Sequence, residues 1–158
     1  MKKTRIFIDS NVLIAGLASD QCASFRLLKL IEQRIFDAYV CQLVLYESEK
    51  NIKKKLPESL PYFYYALKNL PLTIAKDSKK FDNKLAKHFS KKSDLIIFQT
   101  IQKLQPDYFL TLNRKHFHQK PVRQIAHFKI RTPAQFLNEW EGNRISDSSS
   151  QNFKNLLP

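Results

Sequence analysis

The chain has 158 residues, 43% of them hydrophobic and only two of them glycine, and it carries a formal net charge of +13. That length and composition suit one domain with a substantial core, whereas Gly16 and Gly142 alone cannot build a phosphate-cradling loop, and the absence of any GxGxxG or Walker-type motif argues against a nucleotide cofactor. So large a cationic surplus suits a polyanion, and because no apolar run nears the ~18 residues of a membrane span, the expected partner is nucleic acid, not a membrane.

The N-terminus is basic (Lys2, Lys3, Arg5), but the apolar stretch that follows is short and Asp9 interrupts it. It reads as a strand and not as a signal peptide, so a cytoplasmic protein is expected. Cys22 and Cys41 form no C-x-x-C pair and read as free thiols of a reducing compartment. His116 and His118 match no zinc pattern of the H-E-x-x-H kind.

In chain order, Arg5 to Ile8 predicts a first strand, and Val12 to Ala18 a short helix capped by Ser10 or Asn11. Phe25, Leu27, Leu28, Leu30 and Ile31 have helical spacing, giving a second helix that ends near Arg34. Asp37 to Cys41 predicts a second strand. Leu43 to Leu56 predicts a long helix that turns very basic at Lys53-Lys54-Lys55 and stops at Pro57. An aromatic-rich helix (Leu60 to Leu70), a third strand (Leu72 to Ala75) and a helix over Phe81 to Phe89 follow. Ser93 is the expected cap of a buried helix reaching Leu104. A fourth strand (Tyr108 to Leu112), a fifth (His127 to Ile130) and a short helix (Pro133 to Trp140) complete residues 1–141, read as one domain. Residues 142–158 are Ser/Asn-rich and read as a C-terminal tail. Strands alternating with helices predict an α/β fold with a mainly parallel sheet of four to five strands and helices on both faces.

Acids on apolar faces stand out in so basic a chain. Asp9 ends the first strand, where open parallel sheets place their ligand crevices. Asp94 starts a helix and shares the face of Ile97, Phe98 and Ile101. Glu47 and Glu49 both lie in the first half of the Leu43–Leu56 helix, and periodicity does not choose between them. Asn113 follows the fourth strand at the same edge, and Asp107, which starts that strand, belongs at the opposite edge. Three carboxylates around one crevice repel by about 3–4 kcal/mol per pair at ~4–5 Å and an effective dielectric near 20. Either their pKa values rise or a cation binds, and oxygen ligands suit Mg²⁺ or Mn²⁺ over zinc. A basic surface around an acidic metal site is the charge layout expected of a nuclease.

Ile6–Leu13, Val44–Ile52 and Asp94–Phe117 together resemble PIN-domain proteins, the VapC-like toxin and ribonuclease family, and the similarity covers roughly residues 4 to 140 in order and spacing. The resemblance implies a PIN-like three-layer fold and a Mg²⁺- or Mn²⁺-dependent ribonuclease site. It also implies a toxin of a toxin–antitoxin pair, partnered by RNA and an antitoxin, and often a homodimer. Carried over, Asp9, Glu47 and Asp94 are the catalytic, metal-binding acids, with Glu47 chosen by its spacing to Ile52. Asn11 and Thr111 match polar positions that orient the acids. Asn113 stands where many members have a fourth acid, which raises the alternative of a weak or inactive nucleic-acid-binding module. Lys53, Lys54, Lys55, Lys91, Lys92, Arg114 and Lys115 are the expected RNA-backbone contacts.

Overall fold

The structure is a computed structural model that describes residues 2–154 and, within them, the side chains of residues 2–145. Its elements in order are β1 (Arg5–Ile8), α1 (Ser10–Ala18), α2 (Ala23–Glu32), β2 (Asp37–Cys41), α3 (Gln42–Lys55), a 3₁₀ turn (Pro57–Ser59), α4 (Leu60–Asn69), β3 (Leu72–Ala75), α5 (Asn83–Ala86), α6 (Lys92–Leu104), β4 (Tyr108–Leu110), α7 (Lys120–Ile125), β5 (Lys129–Arg131) and α8 (Pro133–Lys154).

The five strands form one sheet in the order β3-β2-β1-β4-β5, and every pairing is parallel. β1 is the central strand. Its Ile6, Phe7 and Ile8 are fully buried, as a strand covered on both faces requires. Phe7 pairs with Tyr39 of β2 on one side and Phe109 of β4 on the other. Successive strands step outward from β1 to β3, and the chain then crosses back to place β4 and β5 beyond β1. The right-handed crossover rule puts the helices of these two excursions on opposite faces. On one side α1 packs against α2 and α3, and α2 also packs against α8. On the other, Phe98 of α6 meets Phe89 and Phe128, while Phe117 meets both Phe89 and Phe109.

Gly16 permits a close approach of α1 to α2. A Cβ there would lie 2.5 Å from Leu28 Cδ1 and 3.0 Å from Ser24 O. No helix of the described residues is long and apolar enough to cross a membrane.

Several elements differ from expectation for identifiable reasons. The N-cap of α1 is Asp9, whose side chain accepts from Ser10 N, and not Ser10 or Asn11. The cap of α6 is Lys91; Ser93 lies inside the helix, its hydroxyl turned to Glu47. The helix predicted over 81–89 is only the four residues of α5. Gln99 of α6 holds the preceding segment out of helix, accepting from Asp82 N at 3.0 Å and donating to Lys80 O. α7 was not anticipated, although Pro121 stands in its first turn. α8 continues to Lys154, well past the predicted end at Trp140. The Ser/Asn-rich stretch from Gly142, read as a tail, is therefore helical up to that point. Leu156 and Leu157 lie outside the described residues, as does the side chain of Phe153.

Candidate active site

The strand order reverses direction between β1 and β4, and at such a switch point the loops leaving adjacent strands part to open a crevice. Asp9 follows β1 and Thr111 follows β4, so both stand at its floor. Asp9 N donates to Leu110 O at 3.0 Å, extending the sheet by one bond beyond β1.

Asp9 is 3% exposed and accepts hydrogen bonds through both oxygens. Its Oδ1 accepts from Ser10 N at 2.8 Å, which makes it the helix cap. Its Oδ2 accepts from the Thr111 hydroxyl at 2.7 Å and the Asn11 amide at 3.3 Å. Asn11 in turn accepts from Leu112 N at 3.0 Å, pinning the loop after β4 to the start of α1. Cap and crevice wall are thus one residue, with one oxygen for each role. Burial raises the Asp9 carboxyl from 3.8 to about 6, the Thr111 and Ser10 bonds oppose that rise, and the charges of Glu47 and Asp94 add to it.

Glu47 reaches the same crevice from α3. Burial raises its pKa, Asp94 adds to the rise, and the Ser93 hydroxyl with Lys91 and Lys50 works against it. Glu49 points elsewhere. It pairs with Lys53 at 2.7 Å and accepts a close bond from Tyr64, so the structure separates the two glutamates that periodicity left equal. Asp94 is 6% exposed in the first turn of α6, the helix that touches α3. Its Oδ2 is buried and has no hydrogen-bond partner, although His116 Nδ1 lies 2.6 Å away. The contact is close, but its alignment falls short of what a hydrogen bond requires.

The structure therefore brings Asp9, Asn11, Glu47, Asp94 and Thr111 to one edge of the sheet. Asn113 is there as well, but it is occupied: its N–H donates to the Thr111 hydroxyl and its Oδ1 accepts from His116 N at 3.1 Å. Asp107 lies at the opposite edge as expected, accepting from Arg5 N at 2.8 Å. Of the seven predicted cationic contacts, Lys91 and Lys92 flank the crevice from the start of α6, and Arg114 and Lys115 lie exposed on the loop after β4. Lys53, Lys54 and Lys55 occupy the far end of α3, roughly 10 Å beyond Glu47 at 1.5 Å per residue. His116 and Ser93 were missed as site residues. The signal for His116 was its place three residues after Asn113, in a stretch already singled out.

Among the described residues, no three His, Cys, Asp or Glu side chains converge tightly enough to enclose a metal ion. Mg²⁺ and its relatives do not need such a cage, because they keep several waters in their shell. A buried carboxylate oxygen with no partner and a neighbouring acid pushed up in pKa fit that kind of ion.

Comparison with known proteins bears on the fold. No family model and no curated protein matches the sequence. Among solved structures, a chain of VapBC2 from Rickettsia felis, crystallised bound to a DNA fragment from their promoter, aligns with a TM-score of 0.56 at 14% identity, covering 82% of this chain and 98% of that one. A chain of DNA-bound VapBC from Salmonella typhimurium aligns with a TM-score of 0.55 at 15% identity and the same coverage. The fold is thus PIN-like: α/β, with a five-stranded all-parallel sheet flanked by helices. The resemblance to VapC-like PIN proteins read from the motifs holds at the level of that fold.

Proposed function

We propose that this protein is a divalent-metal-dependent endoribonuclease acting on single-stranded RNA, and the toxin of a toxin–antitoxin pair. The observation that carries the nuclease reading is the convergence of Asp9, Glu47 and Asp94 from three elements on one crevice, with Asp94 Oδ2 buried and unpartnered. The toxin and its antitoxin partner rest on likeness of fold to the VapBC complexes.

In this reading Asp9, Glu47 and Asp94 hold Mg²⁺ or Mn²⁺. When bound, such an ion neutralises charge on the phosphodiester and makes a water acidic enough to serve as nucleophile. Thr111 and Asn11 fix the Asp9 carboxylate through its Oδ2. Ser93 holds Glu47. Lys91, Lys92, Arg114 and Lys115 draw the RNA backbone across the acids, and their charge offsets the field that would repel it.

The test is cleavage of single-stranded RNA by purified protein with Mg²⁺ or Mn²⁺. Loss of at least 100-fold in rate is expected for Asp9→Asn and Asp94→Asn, with RNA binding kept. Metal-independent cleavage, or cleavage indifferent to both substitutions, overturns the reading. A second reading, a module that binds RNA without cutting it, draws on Asn113. It supplies no negative charge, and its side-chain oxygen already accepts from His116 N, while its backbone N–H donates to the Thr111 hydroxyl. Binding without cleavage under any divalent cation is its signature.

A further inference from the structure

Residues 76–82, between β3 and α5, form a strap with no helix or strand of its own, laid against α6. Two buried polar side chains of α6 fix it there. The Thr100 hydroxyl accepts from Ser78 N at 2.9 Å, and Gln99 Oε1 accepts from Asp82 N at 3.0 Å. Gln99 Nε2 donates to Ser78 Oγ and Lys80 O. Strap and helix border a groove of about 540 Å³, within the ~300–1,000 Å³ of ligand clefts. Lys76, Lys79, Lys80 and Lys103 line it, and none of the four is in an ion pair among the described residues. The two acids of the strap are spent on backbone N–H groups instead. Asp77 accepts from Leu43 N at 3.0 Å, and Asp82 caps α5 by accepting from Lys84 N and Leu85 N. Phe81, between the groove residues Lys80 and Asp82, is 58% exposed.

We propose that this groove is a second contact region for single-stranded RNA, outside the crevice, in which the four lysines hold backbone phosphates and Phe81 stacks on an unpaired base. The proposal rests on RNA being the partner, as read above, but on none of the crevice acids. A cationic groove beside an exposed aromatic ring is the construction that holds single strands: the phosphates follow the charge and a base covers the ring. A duplex keeps its base faces stacked inside, so the ring favours an unpaired strand. An acidic peptide matches the lysines but supplies no base to the ring. Because Gln99 and Thr100 hold the strap in place beforehand, little freedom is left to lose on binding. Lys103 lies roughly 13 Å along α6 from Asp94 at 1.5 Å per residue, which puts the groove beyond the crevice. Exposed lysines lead from one to the other along the chain, Lys84 and Lys87 following the strap and Lys91 and Lys92 standing at the crevice.

The experiment measures binding of a fluorescein-labelled oligouridylate to the purified full chain by anisotropy, with divalent cations chelated so that no cleavage intervenes. Phe81→Ala should weaken binding about 5-fold or more without changing the salt dependence, and Phe81→Trp should restore it. Replacing Lys76, Lys79, Lys80 and Lys103 together by glutamine should lower the slope of log affinity against log salt by up to about 3, at ~0.7 per phosphate contact. Both variants alter exposed side chains, so both should melt at the wild-type temperature. Affinity and slope unchanged in both variants overturn the groove proposal and leave the cleavage reading standing. So does a duplex bound as tightly as the single strand, or polyglutamate that displaces the strand and itself binds less well to Phe81→Ala. Groove-dependent binding supports the proposal even if the protein proves unable to cleave RNA with Mg²⁺ or Mn²⁺, whereas a wild type that binds no RNA overturns both readings.

Discussion

At the scale of single residues, Asp9 carries the clearest conflict between stability and chemistry. Its carboxyl is raised from 3.8 to about 6, chiefly by burial. Between those two values the folded state binds more protons than the unfolded one, so stability falls as pH rises through this window. The stabilising contribution is fully present below about pH 4 and is lost above about pH 6, a difference of at most roughly 3 kcal/mol at 1.36 kcal/mol per unit. Melting curves of the metal-free protein from pH 4.5 to 7.5, compared with those of Asp9→Asn, should isolate this slope. The wild type is expected to lose stability relative to the variant as pH rises, and a parallel pair of curves would refute the assignment. Millimolar Mn²⁺ at pH 7.5 should raise the wild-type melting temperature, because an ion that binds only the folded state stabilises it.

At the scale of elements, the close crossing of α1 and α2 makes Gly16 a sensitive position. A methyl group there meets Leu28, which can shift, and Ser24 O, which belongs to the backbone and yields less. Overpacking costs about 1–3 kcal/mol, and alanine's better helix propensity returns up to ~1 kcal/mol. Gly16→Ala should therefore destabilise by about 1–2 kcal/mol in denaturant titration while leaving Mn²⁺ affinity unchanged. The element scale is also where the sequence was most and least legible. β1, β2 and β3 were readable because short apolar runs flanked by polar residues leave few alternatives. Asp9 stood out because an acid ended the first of them. Which glutamate lies toward Asp94 was closed to periodicity, since each shares a face with apolar residues; Tyr64 and Lys53 hold Glu49, while Glu47 feels the charge of Asp94. The contact of His116 with Asp94 was closed as well, because it depends on how a loop after β4 meets a helix before it. α5 is short because Gln99, distant in sequence, holds its approach, and no local pattern records that.

At the scale of the whole molecule, the charge of +13 and the acidic crevice work at different ranges. Cations around the crevice act on any polyanion, whereas the acids act only at contact. If Lys91, Lys92, Arg114 and Lys115 track single-stranded RNA, replacing all four by glutamine should reduce the slope of log affinity against log salt by up to about 3, at ~0.7 per phosphate contact. The same replacement at Lys53, Lys54 and Lys55 should change the slope less, because Lys53 is already paired with Glu49. Filter binding at a series of salt concentrations decides between the two groups, and equal losses would show that the surface acts as an undivided cationic field.

The central strand has a further consequence, in time. β1 is made first, yet one of its two neighbours is β4, and Asp9 receives its shortest hydrogen bond from Thr111, 102 residues later. At a synthesis rate of about 5–20 residues per second, the N-terminal part of the chain waits roughly 5–20 s for that neighbour. During the wait one edge of β1 is unpaired and Asp9 lacks the Thr111 hydroxyl. A nascent chain therefore cannot complete this crevice on the ribosome until most of its length has emerged, and fragments that stop short of β4 should lack it altogether.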